Sequence, residues 1–347
     1  MVQRLKILIT GGAGFIGCNA AKRFMDKGSK IIVIDNLSRK GSKDNLEWLK
    51  QQGEFEFVDC DIRDYAKTKK IFAPEGLRGN SIDVVLHLAA QVAVTTSVLD
   101  PREDFQINAL GTFNLLEAIR ENKLDPIFVY ASTNKVYGGM TDIKVIERNG
   151  RYEYESLPEG ISEERMLDFH SPYGCSKGTA DQYVRDYSRI YGLRTVVMRQ
   201  SCIYGYRQFG VEDQGWVAWF IIAASLDKPI TIYGDGKQVR DVLFIDDLVD
   251  AYEKTIENIE AASGKIYNVG GGPNNKMSLL ELISFLERFL NKKIEYSFSD
   301  WRPGDQPVFI CNIEKARKEL AWQPRIDVET GVKKLSDWVS KNRTLFR

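Results

Sequence analysis

The chain has 347 residues, enough to bury the core of one large α/β domain or of two coupled ones. Its 43% hydrophobic and 28% charged residues describe an ordinary globular protein, and 48 acidic against 48 basic side chains leave no electrostatic footprint for nucleic acid or an anionic membrane. Five scattered cysteines (Cys18, Cys60, Cys175, Cys202, Cys311) show no Cys-x-x-Cys spacing, two histidines (His87, His170) make no zinc site, and the first apolar run is too short for a signal or membrane segment, so a cytoplasmic protein with reduced thiols and no metal is expected.

In chain order, residues 5–10 form a short apolar run of strand type that ends in Gly11-Gly12-Ala13-Gly14-Phe15-Ile16-Gly17. Apolar residues at helical spacing follow (Phe15, Ile16, Ala20, Ala21, Phe24, Met25). Gly28 then stops the helix, and a second strand, Ile31-Ile32-Val33-Ile34, ends on Asp35. This is a βαβ unit of about 30 residues. Glycines at 11, 14 and 17 let the backbone turn tightly and approach a pyrophosphate, which then lies on the helix N-terminus beside Phe15 and Ile16. Asp35 is placed to accept hydrogen bonds from a ribose diol and repels a 2′-phosphate, which favours NAD over NADP. Asn36, Ser38 and Arg39 flank the adenosine side, and the basic pair Arg39-Lys40 pulls the other way.

The alternation continues with a strand at 55–58, followed by Asp61 and Ile62 where an adenine edge can be gripped. The nearly continuous apolar strand at 82–88 is of the kind a parallel sheet covered on both faces requires. It ends at Leu88-Ala89-Ala90-Gln91, small residues against which a cofactor can lie. A helix over 104–122 leads to the strand 127–130, which closes in Ala131-Ser132-Thr133-Asn134-Lys135. Residues 139–170 are polar and read as a lid or substrate loop.

A long helix is predicted from Ser171-Pro172-Tyr173-Gly174-Cys175-Ser176-Lys177, with Ser171 as N-cap and Pro172 at the first position. Spacing i, i+4 puts Tyr173 and Lys177 on one face, where an ammonium favours the phenolate and makes the phenol a usable base. His170 reads as a packing or capping residue. A strand at 193–198 closes in Arg199-Gln200-Ser201. Beyond residue 205 the pattern loosens into helices near 216–222, 246–259, 278–290, 313–320 and 328–341, with strands at 230–233 and 239–244. The fold class is α/β: a doubly wound parallel sheet of Rossmann type with a smaller mixed α/β substrate domain.

Glycine loop, Asp35, Asn108, Thr133, Tyr173 and Lys177, with Arg240 and the Arg302-Pro303-Gly304-Asp305 loop, together resemble the extended short-chain dehydrogenase/reductase family of nucleotide-sugar epimerases and dehydratases. The resemblance covers essentially the whole chain. It implies residues 1–205, with a return segment near 236–272, as an NAD-binding Rossmann domain, and the remainder of 206–347 as a nucleotide-sugar-binding domain. It also implies Tyr173 as acid/base, Lys177 as the group that holds the nicotinamide ribose and lowers the phenol's pKa, and Thr133 as the residue that orients the sugar hydroxyl. Gln200 and Ser201 join the cofactor contacts. Asn134, Lys135, Gln208, Gln214, Tyr233, Arg240, Arg302 and Asp305 join the substrate contacts, with both arginines on the diphosphate.

The stretches Asp35–Gly41, Ser132–Gly138, Asp168–Lys177 and Asp213–Val217 narrow the resemblance to epimerases that invert carbon 2 of a CDP-3,6-dideoxyhexose, with NAD tightly bound and regenerated in each turnover. Dehydratases of the family carry an Asp-Glu pair directly after the threonine. Asn134 and Lys135 stand there instead and cannot act as carboxylic acids, so dehydration is disfavoured. A UDP- or GDP-sugar 4-epimerase with the same triad and a non-catalytic NAD-sensing protein remain the competing expectations. Family members pair through the helices that correspond to 104–122 and 172–191, which implies a homodimer or homotetramer.

Overall fold

The computed structural model describes residues 5–73, 82–302 and 304–346. The first part of the chain alternates strand and helix: β1 (Lys6–Thr10), α1 (Phe15–Asp26), β2 (Lys30–Asp35), α2 (Ser42–Lys50), β3 (Glu56–Asp59), α3 (Tyr65–Phe72) and β4 (Val84–His87). Three helical pieces follow, α4 (Val94–Leu99), α5 (Pro101–Phe105) and α6 (Gly111–Glu121), then β5 (Ile127–Thr133). The hairpin β6 (Val145–Arg148) and β7 (Arg151–Tyr154) precedes the long α7 (Ser171–Tyr191), β8 (Thr195–Gln200) and β9 (Cys202–Tyr204). The remainder comprises α8 (Trp216–Ser225), β10 (Ile230–Tyr233), β11 (Val239–Phe244), α9 (Ile245–Glu257), α10 (Ile259–Ala262), β12 (Ile266–Val269) and β13 (Lys276–Ser278). It ends in α11 (Leu279–Leu290), β14 (Tyr296–Ser299), β15 (Val308–Phe309), α12 (Glu314–Leu320) and α13 (Val328–Lys341).

Seven strands form one parallel sheet in the order β12-β8-β5-β4-β1-β2-β3. Side chains alternate across it, as the period of a strand demands. Ile7, Ile9, Val33, Leu86 and Val129 face one layer, which holds Ala20, Ala21 and Phe24 of α1. Leu8, Ile32, Ile34, Val85 and Phe128 face the other, which holds Leu115 of α6 and Val184 of α7. Both faces are therefore covered, and the strands read as continuous apolar runs for that reason. The strand order reverses between β1 and β4, so a crevice opens beyond their carboxyl ends. The return segment supplies β12 as the outermost strand, while α9 lies against α1 with Arg23 on Asp250 at 2.7 Å.

A smaller set of strands builds the other end of the molecule. β11 pairs with β13, β15 and β9, and β10 pairs in parallel with β14.

The helix expected over 104–122 is present and continuous through a π-turn, Gln106–Leu110, that joins α5 to α6. Another expectation is corrected. The polar segment 139–170 is not a lid: its hairpin is anchored by Tyr154, whose hydroxyl donates to the Val308 carbonyl at 2.9 Å, and by Tyr152, whose N–H donates to the Lys237 carbonyl. Tyr154 and Ile161 are buried with Val308 and Phe309 in a third core, so apolar anchors spaced among charged residues decide the matter.

Candidate active site

At the crevice, the chain leaves β1 through Gly11, whose φ of +67° lies in the left-handed region that glycine adopts without strain. A Cβ on Gly11 would stand 2.7 Å from the Ala89 nitrogen, and one on Gly17 only 2.2 Å from the Gly11 carbonyl oxygen. The start of α1 is thus pressed onto the β1 turn and aims its free N–H groups into the crevice. Asp35 closes the motif: its carboxylate accepts from the Ala13 N–H at 3.0 Å and the Leu37 N–H at 2.8 Å, and burial pushes its pKa up. A backbone cradle with a dipole-bearing helix end and one carboxylate beside it suits a dinucleotide: pyrophosphate on the N–H groups, ribose on the acid.

A cavity runs along this cradle. Gly11, Gly14, Phe15, Ile16 and Gly17 form its floor; Asp35, Asn36, Ser38 and Arg39 line one end, Asp61 and Ile62 the next wall, and Leu88, Ala89 and Ala90 the other. Asp61 is held by Arg63 and Asn36, and ion pairing with Arg63 lowers its pKa. Over the cavity lies a strap, residues 206–214. Asn19 donates to the Tyr206 carbonyl at 2.9 Å, Asn45 to the Arg207 carbonyl at 3.2 Å, and the Arg39 guanidinium to the Gln214 side chain. Gln208 and Gln214, expected at the sugar or base, line this cavity instead, together with Arg207 and Phe209. The Gln208 amide is occupied by the Gly205 N–H and the Ile203 carbonyl.

Six other expected cofactor contacts do not line the cavity: Tyr173 and Lys177 stand beside it, and the remaining four are engaged elsewhere. Gln91 turns away, its side chain bonded to the Ala93 carbonyl and to Asp104, and Asn108 is buried on the Gln91 backbone, Asp104 and Ser176. Gln200 donates to the Tyr252 hydroxyl at 2.7 Å, and Ser201 donates to Asp241 at 2.5 Å. These side chains hold the loops whose backbones face the crevice. Val92 and Ile107, which no motif marked, contribute to the wall.

Beside the cavity, the carboxyl end of β5 and the first turns of α7 bring Thr133, Tyr173 and Lys177 together. The Ser171 hydroxyl accepts the Gly174 N–H at 3.2 Å, the bond an N-cap makes, while the His170 side chain is exposed and caps nothing. Tyr173 is buried, and its N–H is held by the Ser97 hydroxyl at 3.1 Å. Lys177 reaches the other way, donating to the Ala131 carbonyl at 2.6 Å with its ammonium 4.3 Å from the centre of the Tyr130 ring.

Electrostatics correct the expectation that Lys177 depresses the phenol. Burial pushes Tyr173 up to about 12; the Thr133 hydroxyl and the Arg39 charge pull it down, and Asp104 adds to the rise. Burial likewise pulls Lys177 down to about 7, against Asp181 and Asp104. Desolvation is the largest effect on each of the two groups because both lie in a dry site. Tyr173 therefore rests protonated at neutral pH, a donor until positive charge is added next to it.

A second charged group lies on the substrate side. Arg240, buried on β11, contacts Asp305 at 2.5 Å, and Lys135 stands 3.8 Å from the same carboxylate. Burial alone would raise Asp305, but Arg240 and Lys135 outweigh it and hold it low. Burial and Arg240 push Lys135 down to about 8. Asn134 is buried beside Thr133, whose hydroxyl donates to it at 3.3 Å. Arg302 stacks 3.8 Å over the Tyr233 ring and binds Asp213 at 3.1 Å, while its carbonyl accepts the Asp305 N–H at 3.1 Å; Pro303 in that loop lies outside the described residues. Among the described residues no cluster of His, Cys, Asp or Glu is arranged to hold a metal, and no helix is long and apolar enough to cross a membrane.

Residues 8–335 match the family model described as GDP-mannose 4,6 dehydratase. The chain is 46% identical over 341 residues to CDP-paratose 2-epimerase of Salmonella typhi, covering 97% of this chain and 99% of that protein. Among solved structures it superposes on UDP-glucose 4-epimerase of Thermotoga maritima, determined with UDP-glucose, with a TM-score of 0.83, 29% identity and coverage of 98% and 100% of the two chains. It also superposes on UDP-glucuronic acid 4-epimerase of Bacillus cereus, determined with UDP-glucuronic acid and NAD, with a TM-score of 0.81, 29% identity and coverage of 97% and 99%.

Proposed function

The chain belongs to the NAD-dependent epimerase/dehydratase family, the extended short-chain dehydrogenases/reductases, and on that premise we propose that it inverts carbon 2 of a CDP-3,6-dideoxyhexose, interconverting CDP-paratose and CDP-tyvelose. The observation that carries the reading is the full-length 46% identity to a CDP-paratose 2-epimerase, against 29% to the two solved 4-epimerases.

The glycine cradle, Asp35 and the Leu88–Ala90 wall would hold NAD, and the strap over them suits a cofactor that stays bound through turnover. When bound, NAD supplies the hydride acceptor for carbon 2 and a positive charge close to Tyr173. Each remaining task falls to the chain. Thr133 orients the carbon-2 hydroxyl towards the phenol. Tyr173 takes the hydroxyl proton once its own pKa has been drawn down, and gives a proton back when the 2-keto sugar is reduced on its other face. Arg240 and Arg302 anchor the diphosphate so that the sugar turns while the nucleotide stays fixed. Burial of Tyr173 and Lys177 keeps water from the ketone.

The same residues argue against dehydration. Loss of water from carbons 5 and 6 needs a carboxylic acid and a base next to Thr133, and Asn134 with Lys135 supplies neither. The competing reading is a 4-epimerase, as in the UDP-sugar relatives. Incubation with CDP-, UDP- and GDP-sugars in separate reactions, with product stereochemistry read by NMR, tests it: inversion at carbon 2 of the CDP-sugar is expected, and inversion only at carbon 4 removes the assignment. Tyr173→Phe should abolish turnover; a fully active variant would exclude the phenol as the base.

A second copy of the chain is the proposed partner. Phe105 (52% exposed) and Ile190 (65%) are exposed apolar side chains within 104–122 and 172–191, the helices through which family members pair. Light scattering should show a dimer or tetramer, and a monomer at micromolar concentration would remove this part.

A further inference from the structure

The hydrogen bonds behind the cofactor cavity form a chain whose direction is fixed by its donors and acceptors. His87, the last residue of β4, is buried with Nδ1 2.7 Å from the Thr10 hydroxyl and Nε2 2.8 Å from the Thr112 hydroxyl. Thr10 Oγ1 already accepts the Leu88 and Ala89 N–H groups, each at 3.2 Å, so its lone pairs are taken and its proton points to Nδ1. Thr112 Oγ1 donates to the Asn108 carbonyl at 2.6 Å, which can only accept, so it meets Nε2 with a lone pair. The ring proton therefore sits on Nε2.

The two ends of this chain hold the two ends of one loop. Thr10 takes the Leu88 and Ala89 N–H groups, while the Asn108 side chain accepts the Gln91 N–H at 2.9 Å and donates to the Gln91 carbonyl at 3.0 Å. Leu88, Ala89 and Ala90 are a wall of the cavity, and Thr10 directly precedes Gly11 in its floor. Floor and wall come close here, since a Cβ on Gly11 would stand 2.7 Å from the Ala89 nitrogen. Thr10, His87, Asn108 and Thr112 are all buried, so water does not replace a bond that is lost.

We propose that His87 is a positioning residue for the cofactor: as a neutral imidazole protonated at Nε2, it joins Thr10 and Thr112 into one clamp that sets the Leu88–Gln91 loop against the glycine turn. The proposal rests on that wall facing NAD. A neutral ring offers the one donor and one acceptor that the clamp needs, whereas an imidazolium would turn a second N–H towards Thr10, whose lone pairs are taken. Burial holds the ring neutral, and the Lys177 charge on α7 adds to the effect. Phe128 and Tyr130 of β5 cover it, with ring centres 5.8 and 5.5 Å away.

The first test is long-range ¹H–¹⁵N NMR of purified holoprotein labelled with ¹⁵N-histidine. The chain has two histidines, and His170→Gln, at an exposed ring, identifies the signals of His87. The proton should stay on Nε2 from about pH 5 to pH 8. A proton on Nδ1, or a ring that titrates in that range, overturns the proposal. The second test is the rate at which holoprotein loses NAD. His87→Phe keeps a planar ring without either nitrogen and should speed the loss by about fivefold or more, the scale of one buried hydrogen bond. Thr195→Val removes a buried hydroxyl that bonds the Val184 carbonyl, away from the wall, and should lower stability to urea while leaving NAD release unchanged. Unchanged release from His87→Phe, or equal acceleration in Thr195→Val, overturns the proposal in favour of a packing role. If His87→Phe does not fold, Thr112→Val, which lacks the acceptor for Nε2–H, makes the same measurement. Neither test uses a sugar nucleotide, so failure of the carbon-2 assignment and failure of the clamp are separate results.

Discussion

Gly17→Ala probes the cofactor cradle most sharply, because two local effects oppose each other there. Alanine in a helix is favoured over glycine by about 1 kcal/mol. Its Cβ, however, would sit 2.2 Å from the Gly11 carbonyl oxygen and 2.6 Å from the Gly12 Cα. Both obstacles are backbone, so no rotamer change relieves them, and α1 has to lift away from the β1 turn. Overpacking of this kind costs about 1–3 kcal/mol. The net is a destabilisation of about 0–2 kcal/mol, and the displacement falls on the N–H groups assigned to the pyrophosphate. Since a tenfold loss of affinity corresponds to about 1.4 kcal/mol, NAD binding should weaken by roughly tenfold or more. The assay is equilibrium NAD titration by intrinsic fluorescence, paired with urea denaturation of the stripped protein. Gly53→Ala is the control, at an exposed glycine whose added Cβ would find only the Met25 sulfur at 3.5 Å. A Gly17→Ala protein that binds NAD as tightly as the parent would refute the cradle.

Lys135, drawn down to about 8, carries its positive charge at neutral pH and loses it as pH rises through that value. KM for the nucleotide sugar should therefore climb above about pH 8 while kcat changes less, and Lys135→Met should raise KM at pH 7 and flatten the dependence. Arg199→Met strands the fully buried Asp181 without its cation, a loss of about 3–5 kcal/mol by urea denaturation, whereas the pair Arg199→Met with Asp181→Leu should recover most of it. Equal losses in the single and double variants would mean that the ion pair is not what the site depends on.

Local features were the legible ones. The β1 turn, the start of α1 and Asp35 fall within one βαβ unit, so spacing alone places them in one crevice. The Tyr173–Lys177 pair needs only a helix and a cap. What escaped depends on contacts distant in sequence or on side-chain direction. Arg39 meets Gln214 across 175 positions, so the strap that draws Gln208 and Gln214 over the cavity left no periodic trace. Gln91 sits where a cofactor contact is expected, but Asp104 claims its amide. The π-turn has no composition signature, and with it the Asn108 contacts stayed hidden. Sequence chemistry also overrated the Lys177 ammonium, because the degree of burial that raises Tyr173 and lowers Lys177 together is a property of the packed site.

The account's central claim is that hydrogen leaves carbon 2 and returns to that same carbon on the opposite face. CDP-paratose carrying deuterium at carbon 2, incubated in ordinary water and followed by NMR, tests it directly. The inverted product should keep its deuterium at carbon 2. Loss of the label to solvent with inversion would mean that a proton, not a hydride, is exchanged there, and would contradict the roles given to Thr133, Tyr173 and the NAD cradle.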